Sequence, residues 1–372
     1  MESGTLSATK NENSNDYYVI LNHGVMTING GTVKSTSTHS SLIDNGYYNF
    51  SSSNERLGHV DGVNELYPTL TINNGMFDGG LNTVKNDDNG KLVINNGTFR
   101  NTVQVSLMNW NETIVNGGTF ETPIGNDKTN VFVGSYGADS NDIGKLIING
   151  GTFNAEHAIE VSKTNPVTIP VEISGGTFNN TKAFINESAS FAPVAVDDIE
   201  ISGNVTVSAD AVKHGVEGAK ITLTNPQAGQ SIEIPEGVEV VIAEDDDFVF
   251  VTNLDGTVTV AEVADISKLM EIAEKLEGLK EEDYTEKSLK EFEAIVEPIL
   301  AEIETLTYTK DEQAKIDEIV LKLEDAMAKL VKKTDVVNPE TSDNILTYVG
   351  IAASSILLLG AVVVSSKKKL FN

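Results

Sequence analysis

A short alternation of apolar and polar positions recurs along the first two thirds of the chain. Two apolar residues flank one variable position, as in Leu92, Val93 and Ile94. Further copies of this triplet begin at Leu70, Leu146, Val171 and Ile199. A two-residue period is typical of a strand with one buried face. We therefore expect the flanking residues to be buried and the middle residues, which include Glu172 and Glu200, to face solvent.

A tight turn follows each of these strands. In the segment KLIINGGTF, Lys145–Phe153, the apolar triplet is followed by Asn and two Gly. Asn and Gly adopt positive φ at little cost, so the chain can change direction there. In the next strand a Thr is expected to point outward and a Phe inward. The inward aromatic positions are Phe77, Phe99, Phe120, Phe153 and Phe178.

The spacing between copies, about 21 to 33 residues with one gap of about 44, favours a solenoid. It is too short for an immunoglobulin-like domain of about 100 residues. One coil cannot bury its apolar side chains alone, so like residues must stack on the coils above and below. We therefore predict a mainly β fold, with a parallel β-helix over residues 1–262. The amides of Asn95, Asn116 and Asn149 are expected to bond along the stack.

The repeated phrase resembles two groups of proteins. It is similar to the pectin-lyase-like superfamily of right-handed β-helices and to the GGTF-type repeats of bacterial surface proteins, over roughly residues 15–262. The resemblance implies the right-handed form of the helix. After Ile201 the register decays into short strands, which are the last coils, a cap or a small β-sandwich.

A helical period replaces the strand period between residues 264 and 333. Three apolar stripes, beginning at Ile266, Leu289 and Ile316, predict a small three-helix bundle. We expect Thr309 and Glu312 to form a capping box that opens the third helix, and Pro298 to kink or split the second. The segment LEGLKEEDYTEKS, Leu276–Ser288, resembles the FIVAR module of Gram-positive surface proteins. The resemblance implies a spacer or, alternatively, a ligand-binding module.

The C-terminal region carries an uncharged apolar segment, 345–366, followed by a basic tail, 367–372. About 20 apolar residues are enough for a helix to cross a bilayer. Positive charge stays on the cytoplasmic side. We therefore expect a transmembrane helix with a cytoplasmic tail, and the bulk of the protein outside the cell.

A polar linker, 334–344, precedes the apolar segment and contains the motif NPETS. The order of motif, apolar span and basic tail resembles the LPxTG-type sorting signal of Gram-positive sortase substrates. The matching residues are Asn338 (in place of Leu), Pro339, Glu340, Thr341 and Ser342 (in place of Gly). The resemblance implies that sortase cuts between Thr341 and Ser342 and joins Thr341 to peptidoglycan. The membrane stage would then be transient; an anchor that is never cut is the alternative.

The first sixteen residues, MESGTLSATKNENSND, have no apolar core and do not form a signal peptide. A sortase substrate must be exported. We therefore expect that an upstream segment is missing from this sequence, with an unusual export route as the alternative.

The composition narrows the classes of partner. The formal net charge is −29, from 55 acidic and 26 basic residues, which argues against nucleic acid because phosphate binding needs clustered Lys and Arg. The absence of cysteine excludes disulfides, zinc–cysteine sites and cysteine nucleophiles. The five histidines are scattered, so none has the close spacing of a metal-ligand pair, and we expect neither a metal nor a cofactor.

Enzymatic activity is the rival expectation, because some β-helix proteins are polysaccharide lyases or hydrolases. Lyases of that fold often use an Arg, and this chain has only Arg56 and Arg100; hydrolases need two facing carboxylates. The acidic candidates are Asp87 and Asp88, Asp197 and Asp198, and Asp245–Asp247. Each run lies in a polar turn, where Asp is common for backbone reasons. We expect no Asp pair on neighbouring coils with a basic residue beside it, and therefore no catalysis.

Aromatic residues in the first half of the chain are candidates for stacking on sugar faces. The candidate glycan contacts are Tyr47, Tyr48, Trp110 and Tyr136. The alternative is that these rings fill the interior or cap the first coil. Together, the three regions predict a wall-anchored surface protein, an adhesin that binds a host or environmental glycan or protein and is displayed on a helical spacer. The alternative is a wall-anchored polysaccharide lyase or glycoside hydrolase.

Overall fold

The computed structural model describes residues 1–9, 17–46, 67–123, 125, 127–135, 144–163, 169–187, 199–243, 247–333 and 369–371. The chain divides into two compact units. The parallel-sheet unit contains residues 1–225 and 232–241, and the helical unit contains residues 226–231 and 242–370. The β segments between residues 242 and 262 therefore group with the helices, whereas the sequence placed the boundary at 262.

Short strands make up the parallel-sheet unit. Their bounds, in chain order, are β1 (Thr5–Ala8), β2 (Ile20–Asn22), β3 (Val25–Ile28), β4 (Thr32–Ser35), β5 (Ile43–Asn45), β6 (Thr69–Ile72), β7 (Met76–Gly79), β8 (Asn82–Asn86), β9 (Lys91–Ile94), β10 (Thr98–Arg100), β11 (Val105–Asn109), β12 (Glu112–Val115), β13 (Thr119–Glu121), β14 (Thr129–Ser135), β15 (Lys145–Ile148), β16 (Thr152–Ala155), β17 (His157–Lys163), β18 (Val171–Asn180), β19 (Ile199–Val207) and β20 (Lys220–Leu223). A 3-10 turn lies between β19 and β20 at Ala209–His214, and the strands β21 (Ser231–Ile232) and β22 (Glu239–Ile242) follow.

The strands pair in parallel, and through most of the unit each strand pairs with the one three places later in the chain. One row runs β1-β4-β7-β10-β13-β16-β18, a second runs β3-β6-β9-β12-β15-β18, and a third runs β2-β5-β8-β11-β14-β17. The long strand β18 belongs to both of the first two rows, and β19 pairs with it in parallel. The fold is therefore mainly β with long parallel sheets, as the repeats predicted.

The inward phenylalanines lie directly over one another, which confirms the prediction from the repeats. Phe77, Phe99, Phe120, Phe153 and Phe178 are fully buried and pair in register along one row of strands. Neighbouring ring centroids lie 4.5–4.9 Å apart, with interplanar angles of 6–11°. This spacing is that of paired strands, about 4.8 Å, so the backbone ladder and the ring stack reinforce each other.

On the strands that precede the glycine corners, the alternation of buried and exposed residues also follows the prediction. Leu92 and Ile94 are buried to 1% and 0% exposure, and Val93 between them is half-buried. At the middle positions of later copies, Glu172 and Glu200 are exposed. The Gly at the following corner has positive φ, as at Gly97 with 132°. A Cβ there would also approach the backbone oxygen of Gly75 to 3.1 Å, so the corner requires glycine for two reasons.

An outer ladder of asparagine amides runs along the corners, as predicted for Asn95, Asn116 and Asn149. The Nδ2 of each Asn donates to the Oδ1 of the preceding one, through Asn73 to Asn29, at 2.6–2.9 Å. The hydroxyl of Ser174 donates to Asn149 Oδ1 at 2.9 Å and continues the ladder. Because these side chains are at the surface, each of these hydrogen bonds replaces one to water, so its net contribution to stability is small.

A second asparagine ladder lies inside the unit, and the sequence did not reveal it. Asn22 Nδ2 donates to Asn45 Oδ1 at 2.7 Å, Asn45 to Asn86 at 2.8 Å, and Asn86 to Asn109 at 3.1 Å. All four residues are at most 4% exposed. In this inner ladder each amide nitrogen donates to the next Asn along the chain, whereas in the outer ladder it donates to the preceding Asn. The flanking residues differ at each copy, so no repeated phrase marks these positions.

The helical unit contains an antiparallel hairpin ahead of its helices. The strands of the hairpin are β23 (Phe248–Thr252) and β24 (Val258–Glu262). The helices are α1 (Ser267–Glu277), α2 (Glu286–Glu304) and α3 (Gln313–Ala328), with 3-10 turns at Glu281–Asp283 and Lys310–Glu312. Residues from all three predicted stripes, including Leu269, Phe292 and Ile319, share one buried cluster. Three helices therefore pack on a common core, as the helical period predicted.

Two local predictions for the helices are corrected. Thr309 makes no side-chain capping bond, and the Glu312 carboxylate instead accepts from the backbone N–H groups of Thr307 (2.7 Å) and Tyr308 (2.9 Å). A 3-10 turn, Lys310–Glu312, precedes α3, and Tyr308 ahead of that turn has φ 58°, so the carboxylate bonds to residues before Thr309. Helix α2 is continuous through Pro298 and is not split.

The predicted anchor and sorting motif lie outside the described residues. Residues 334–344 and 345–366 belong to this part of the chain, and a short strand, β25 (Lys369–Phe371), follows. Among the helices that the structure describes, none has the length and apolarity that a membrane crossing requires.

The phenylalanine stack makes a testable prediction about stability. Phe120→Ala removes a fully buried ring with two stacked neighbours, and we expect a loss of about 3–5 kcal/mol in the free energy of unfolding. The reporter is the fluorescence of Trp110, the single tryptophan of the chain, during urea unfolding. Thr119→Ala, at the adjacent outward position, is the matched control and should cost under about 1 kcal/mol. Equal losses in the two variants would contradict the stacked core.

Candidate functional site

The residue after each stacked phenylalanine faces outward and forms a polar row. Arg100, Glu121, Asn154 and Asn179 are paired in register on β10, β13, β16 and β18. Successive side chains of a strand point to opposite faces, so a buried Phe places its follower at the surface. These four side chains therefore lie next to one another along the outside of the sheet.

A groove of about 560 Å³ runs beside this row and the turns that follow it. Its lining includes the four residues of the polar row together with Thr102, Thr122, Pro123, Asn180, Thr181 and Asn225. The side chains of Arg100 and Glu121 are 47% and 37% exposed. The groove is thus a surface feature whose lining residues mostly carry polar side chains, and it lies wholly in the parallel-sheet unit.

Hydrogen bonds within the polar row leave unused groups on its outer face. Arg100 Nε donates to Glu121 Oε2 at 2.7 Å, so these opposite charges neutralise each other. Asn179 Nδ2 donates to Asn154 Oδ1 at 2.8 Å. Within the described part of the chain, Asn154 Nδ2 and Asn179 Oδ1 have no hydrogen-bond partner. This hydrogen-bonded pair therefore keeps one unused donor and one unused acceptor, which are the groups that the hydroxyl groups of a ligand can bond.

Asn180 forms part of the groove wall and is an unsatisfied buried amide. It is 5% exposed, and neither its Nδ2 nor its Oδ1 has a partner among the residues that the structure describes. Asn101 follows Arg100 as Asn180 follows Asn179, but its Oδ1 accepts from the N–H groups of Val103 and Gln104 at 2.7 Å. A buried amide without partners costs about 1–3 kcal/mol. A hydroxyl or water that reaches Asn180 would recover this energy.

Of the aromatic residues nominated from the sequence, the structure describes Trp110, which is not part of the groove. Trp110 is 5% exposed and packs against Phe132, with ring centroids 4.8 Å apart and tilted by 57°. Its ring faces are therefore enclosed, which corresponds to the interior role that the sequence left as the alternative. Tyr47, Tyr48 and Tyr136 lie outside the described residues.

A buried ionic cluster lies elsewhere in the parallel-sheet unit. Asp44, Asp87 and Asp88 are at most 2% exposed, and Lys85 is 8% exposed. Asp44 and Lys85 are register partners on β5 and β8, and Lys85 donates to the Asp87 carboxylate. Asp87 and Asp88 precede a tight turn, as predicted, but the expectation of no Asp pair on neighbouring coils with a basic residue beside it was wrong. The pairing of β5 with β8 places Asp44 beside Lys85, although a long stretch of chain separates them. The spacing of the repeats did not predict this pairing.

One lysine cannot neutralise three buried carboxyl groups. The pKa of Asp44 is raised to about 7, chiefly by burial and also by the nearby Asp87, against the opposing charge of Lys85. Burial likewise raises the pKa of Asp87, with Lys85 opposing. Burial also raises the pKa of Tyr18, whose hydroxyl bonds to Asp44. Lys85 pairs with Asp87, and Asp44 is therefore the carboxyl that retains its proton near neutral pH.

The remaining acidic candidates do not assemble into a site in the described structure. Asp247 is exposed, and Asp197, Asp198, Asp245 and Asp246 lie outside the described residues. Across the described ranges, no three His, Asp or Glu residues come together in a way that would hold a metal ion. Comparison with protein-family models, curated protein sequences and solved structures finds no match to this chain. The groove and the buried cluster are thus the features on which a function can be argued.

The buried cluster predicts a pH-dependent stability. Asp44 keeps its proton to about pH 7 when folded but loses it near pH 4 when unfolded. The native state therefore binds more protons between these values, and stability falls as the pH rises, by up to about 1.4 kcal/mol per pH unit. We expect Asp44→Asn to gain stability over the wild type between pH 5 and pH 8, measured by urea unfolding with Trp110 fluorescence.

The control for this experiment is Thr71→Val, which changes a half-buried residue of the same unit and no titratable group. Its difference from the wild type should therefore not grow with pH as that of Asp44→Asn does. A stability difference for Asp44→Asn that stays constant across this range would contradict the assignment of the proton to Asp44.

Proposed function

We propose that this chain is a non-enzymatic, wall-anchored surface protein whose right-handed parallel β-helix binds a glycan in the groove beside the polar row. The observation that carries the proposal is the groove itself. Its wall carries an unused donor on Asn154 and an unused acceptor on Asn179, and it includes Asn180, whose amide is buried and has no partner among the described residues. Glycans recognised by proteins offer many hydroxyl groups, each of which both donates and accepts. The unused amide groups of the wall can donate to and accept from such hydroxyl groups.

The β-helical interpretation is supported by the pairing pattern. Two strands occur between one strand and its parallel partner, so the chain returns to the same place once per repeat. Parallel strands joined by a crossover connection are right-handed in almost all proteins. Each return of the chain adds one strand to each row of strands, and it also adds one residue to the polar row. A long ligand would therefore meet the same geometry at successive coils.

Wall anchoring is supported by the order of regions in the sequence. The repeats come first, the helices follow, and the NPETS motif, apolar span and basic tail come last. The helices therefore lie between the repeats and the sorting motif along the chain. Sortase would join Thr341 to peptidoglycan, and the segment 345–366 would hold the chain in the membrane before that step.

Polysaccharide cleavage is the competing function, and one observation favours it. Arg100 and Glu121 lie hydrogen-bonded in the groove, where a basic and an acidic group would meet a bound sugar. However, Arg100 is held by Glu121 and no second carboxylate lines the groove among the described residues. Hydrolysis by the usual route needs two carboxyl groups flanking the bond. Binding without turnover is therefore the better-supported function.

The glycan proposal is tested by binding of the full chain to an array of plant, bacterial and host glycans. We expect retention of at least one class of glycan, without new reducing or unsaturated ends. The double variant Asn154→Ala with Asn179→Ala should weaken that binding roughly tenfold, because two hydrogen bonds are lost. Asn204→Ala, at an exposed asparagine outside the groove lining, is the control and should bind normally. Product release from any glycan would support the enzyme instead.

Anchoring is tested separately, with the chain exported behind a fused signal peptide in a sortase-positive Gram-positive host. We expect mass spectrometry of wall digests to find Thr341 joined to a peptidoglycan amine. Thr341→Ala should shift the protein from the wall fraction to the membrane and medium. Thr334→Ala makes the same change in the same linker but outside the motif, so this control should still reach the wall. Recovery of wild-type protein with an intact C-terminus from membranes would rule out sorting.

A further inference from the structure

A row of threonines runs along the same outward face as the polar row, two residues earlier on each strand. Six consecutive members are paired in register: Thr98, Thr119, Thr152, Thr177, Thr206 and Thr222. Each lies next to a buried residue, such as Phe99 or Phe120, and each is half-buried itself. The alternation of the strand therefore directs all six side chains to the outside.

The hydroxyl groups of this row are unused by the protein. Across the part of the chain that the structure describes, none of the six Oγ1 atoms has a hydrogen-bond partner. By contrast, Thr83 and Thr113, which are buried, donate to Arg100 O (3.1 Å) and Asn109 Oδ1 (2.7 Å). The threonine row is thus an array of free hydroxyl groups at regular intervals.

Strand propensity alone does not account for the row. Thr is favoured in strands, but so are Val and Ile, and a neighbouring outward row of the same unit mixes all of these types. That row contains Thr71, Val93, Ile114, Ile147, Glu172 and Glu200, also paired in register. A corner glycine with positive φ precedes four of the threonines, Thr98, Thr119, Thr152 and Thr177. Thr206 and Thr222 instead follow Val205 and Ile221, so the glycine corner alone does not explain the uniform choice of Thr.

The spacing of the hydroxyl groups is set by the backbone. Paired strands lie about 4.8 Å apart, so six members span roughly 24 Å. A sugar in an extended β-linked chain advances by close to one strand spacing, so successive sugars can meet successive threonines. The net charge of −29 disfavours an anionic polymer, and Arg100 is already neutralised by Glu121.

We propose that the threonine row is a track for an unbranched, neutral, β-linked glycan that lies along the axis of strand stacking, with one threonine hydroxyl bonding each successive sugar. The inference rests on the proposed glycan-binding function and specifies its ligand class and orientation. The polar row forms the second edge of the track, since Arg100, Glu121, Asn154 and Asn179 lie two residues further along the same strands. Affinity should therefore rise with the length of the glycan.

The test uses the full chain and cello-oligosaccharides from dimer to hexamer, with calorimetry as the measurement. We expect affinity to increase with each added sugar. The double variant Thr119→Val with Thr152→Val removes two hydroxyl groups while keeping the shape of the side chains, and should weaken hexamer binding roughly tenfold. Thr119→Ser with Thr152→Ser, which keeps both hydroxyl groups, should restore most of the affinity.

Thr71→Val is the matched control, because it makes the same change at a half-buried position of the mixed row, and it should bind the hexamer as the wild type does. Unchanged Trp110 fluorescence would confirm that each variant is folded. Failure of the wild type to bind cello-oligosaccharides, or equal binding by the double Val variant, would overturn the track. If the array glycans still bind through Asn154 and Asn179, the glycan-binding function stands although the threonine track is wrong. If no glycan binds, the glycan-binding function and the threonine track are both wrong.

Discussion

In-register parallel pairing is the constraint on which the structure depends. It places each residue over its counterpart in the next repeat, at a separation near 4.8 Å. Phe99 therefore meets Phe77 on one side and Phe120 on the other, with rings almost parallel. The same rule aligns amides with amides and threonines with threonines. Core packing and surface chemistry are thus two results of one backbone arrangement, and a change of register would disrupt both.

Much of the parallel-sheet unit was predictable because its signals are local. A triplet with alternating burial, a glycine corner and an inward Phe occur within about ten residues, and each copy repeats them. The outer ladder through Asn95, Asn116 and Asn149 was found for the same reason. The inner ladder was not, because Asn45 and Asn86 are separated by 41 residues and share little flanking sequence. The pairing of Asp44 with Lys85 spans the same insertion and was missed with it.

The candidate site was less predictable than the core. Large aromatic rings are the usual signal for sugar binding, but Trp110 supplies core volume beside Phe132. The groove is instead built from Arg, Glu and Asn, which differ from copy to copy because solvent-facing positions are free of packing demands. Only the pairing of β10, β13, β16 and β18 shows that these side chains are neighbours. A repeat pattern predicts the residues that must be identical for packing, but it does not predict which variable, solvent-facing residues become neighbours.

The opposite direction of donation in the two asparagine ladders has an electrical consequence. Aligned amides add their dipoles and polarise one another along a chain. In the outer ladder the dipoles point one way along the stack, and in the inner ladder, from Asn22 to Asn109, they point the other way. The two contributions oppose each other. Over the coils that both ladders span, the amide dipoles therefore cancel in part, and only the outer ladder continues beyond Asn109 to Ser174.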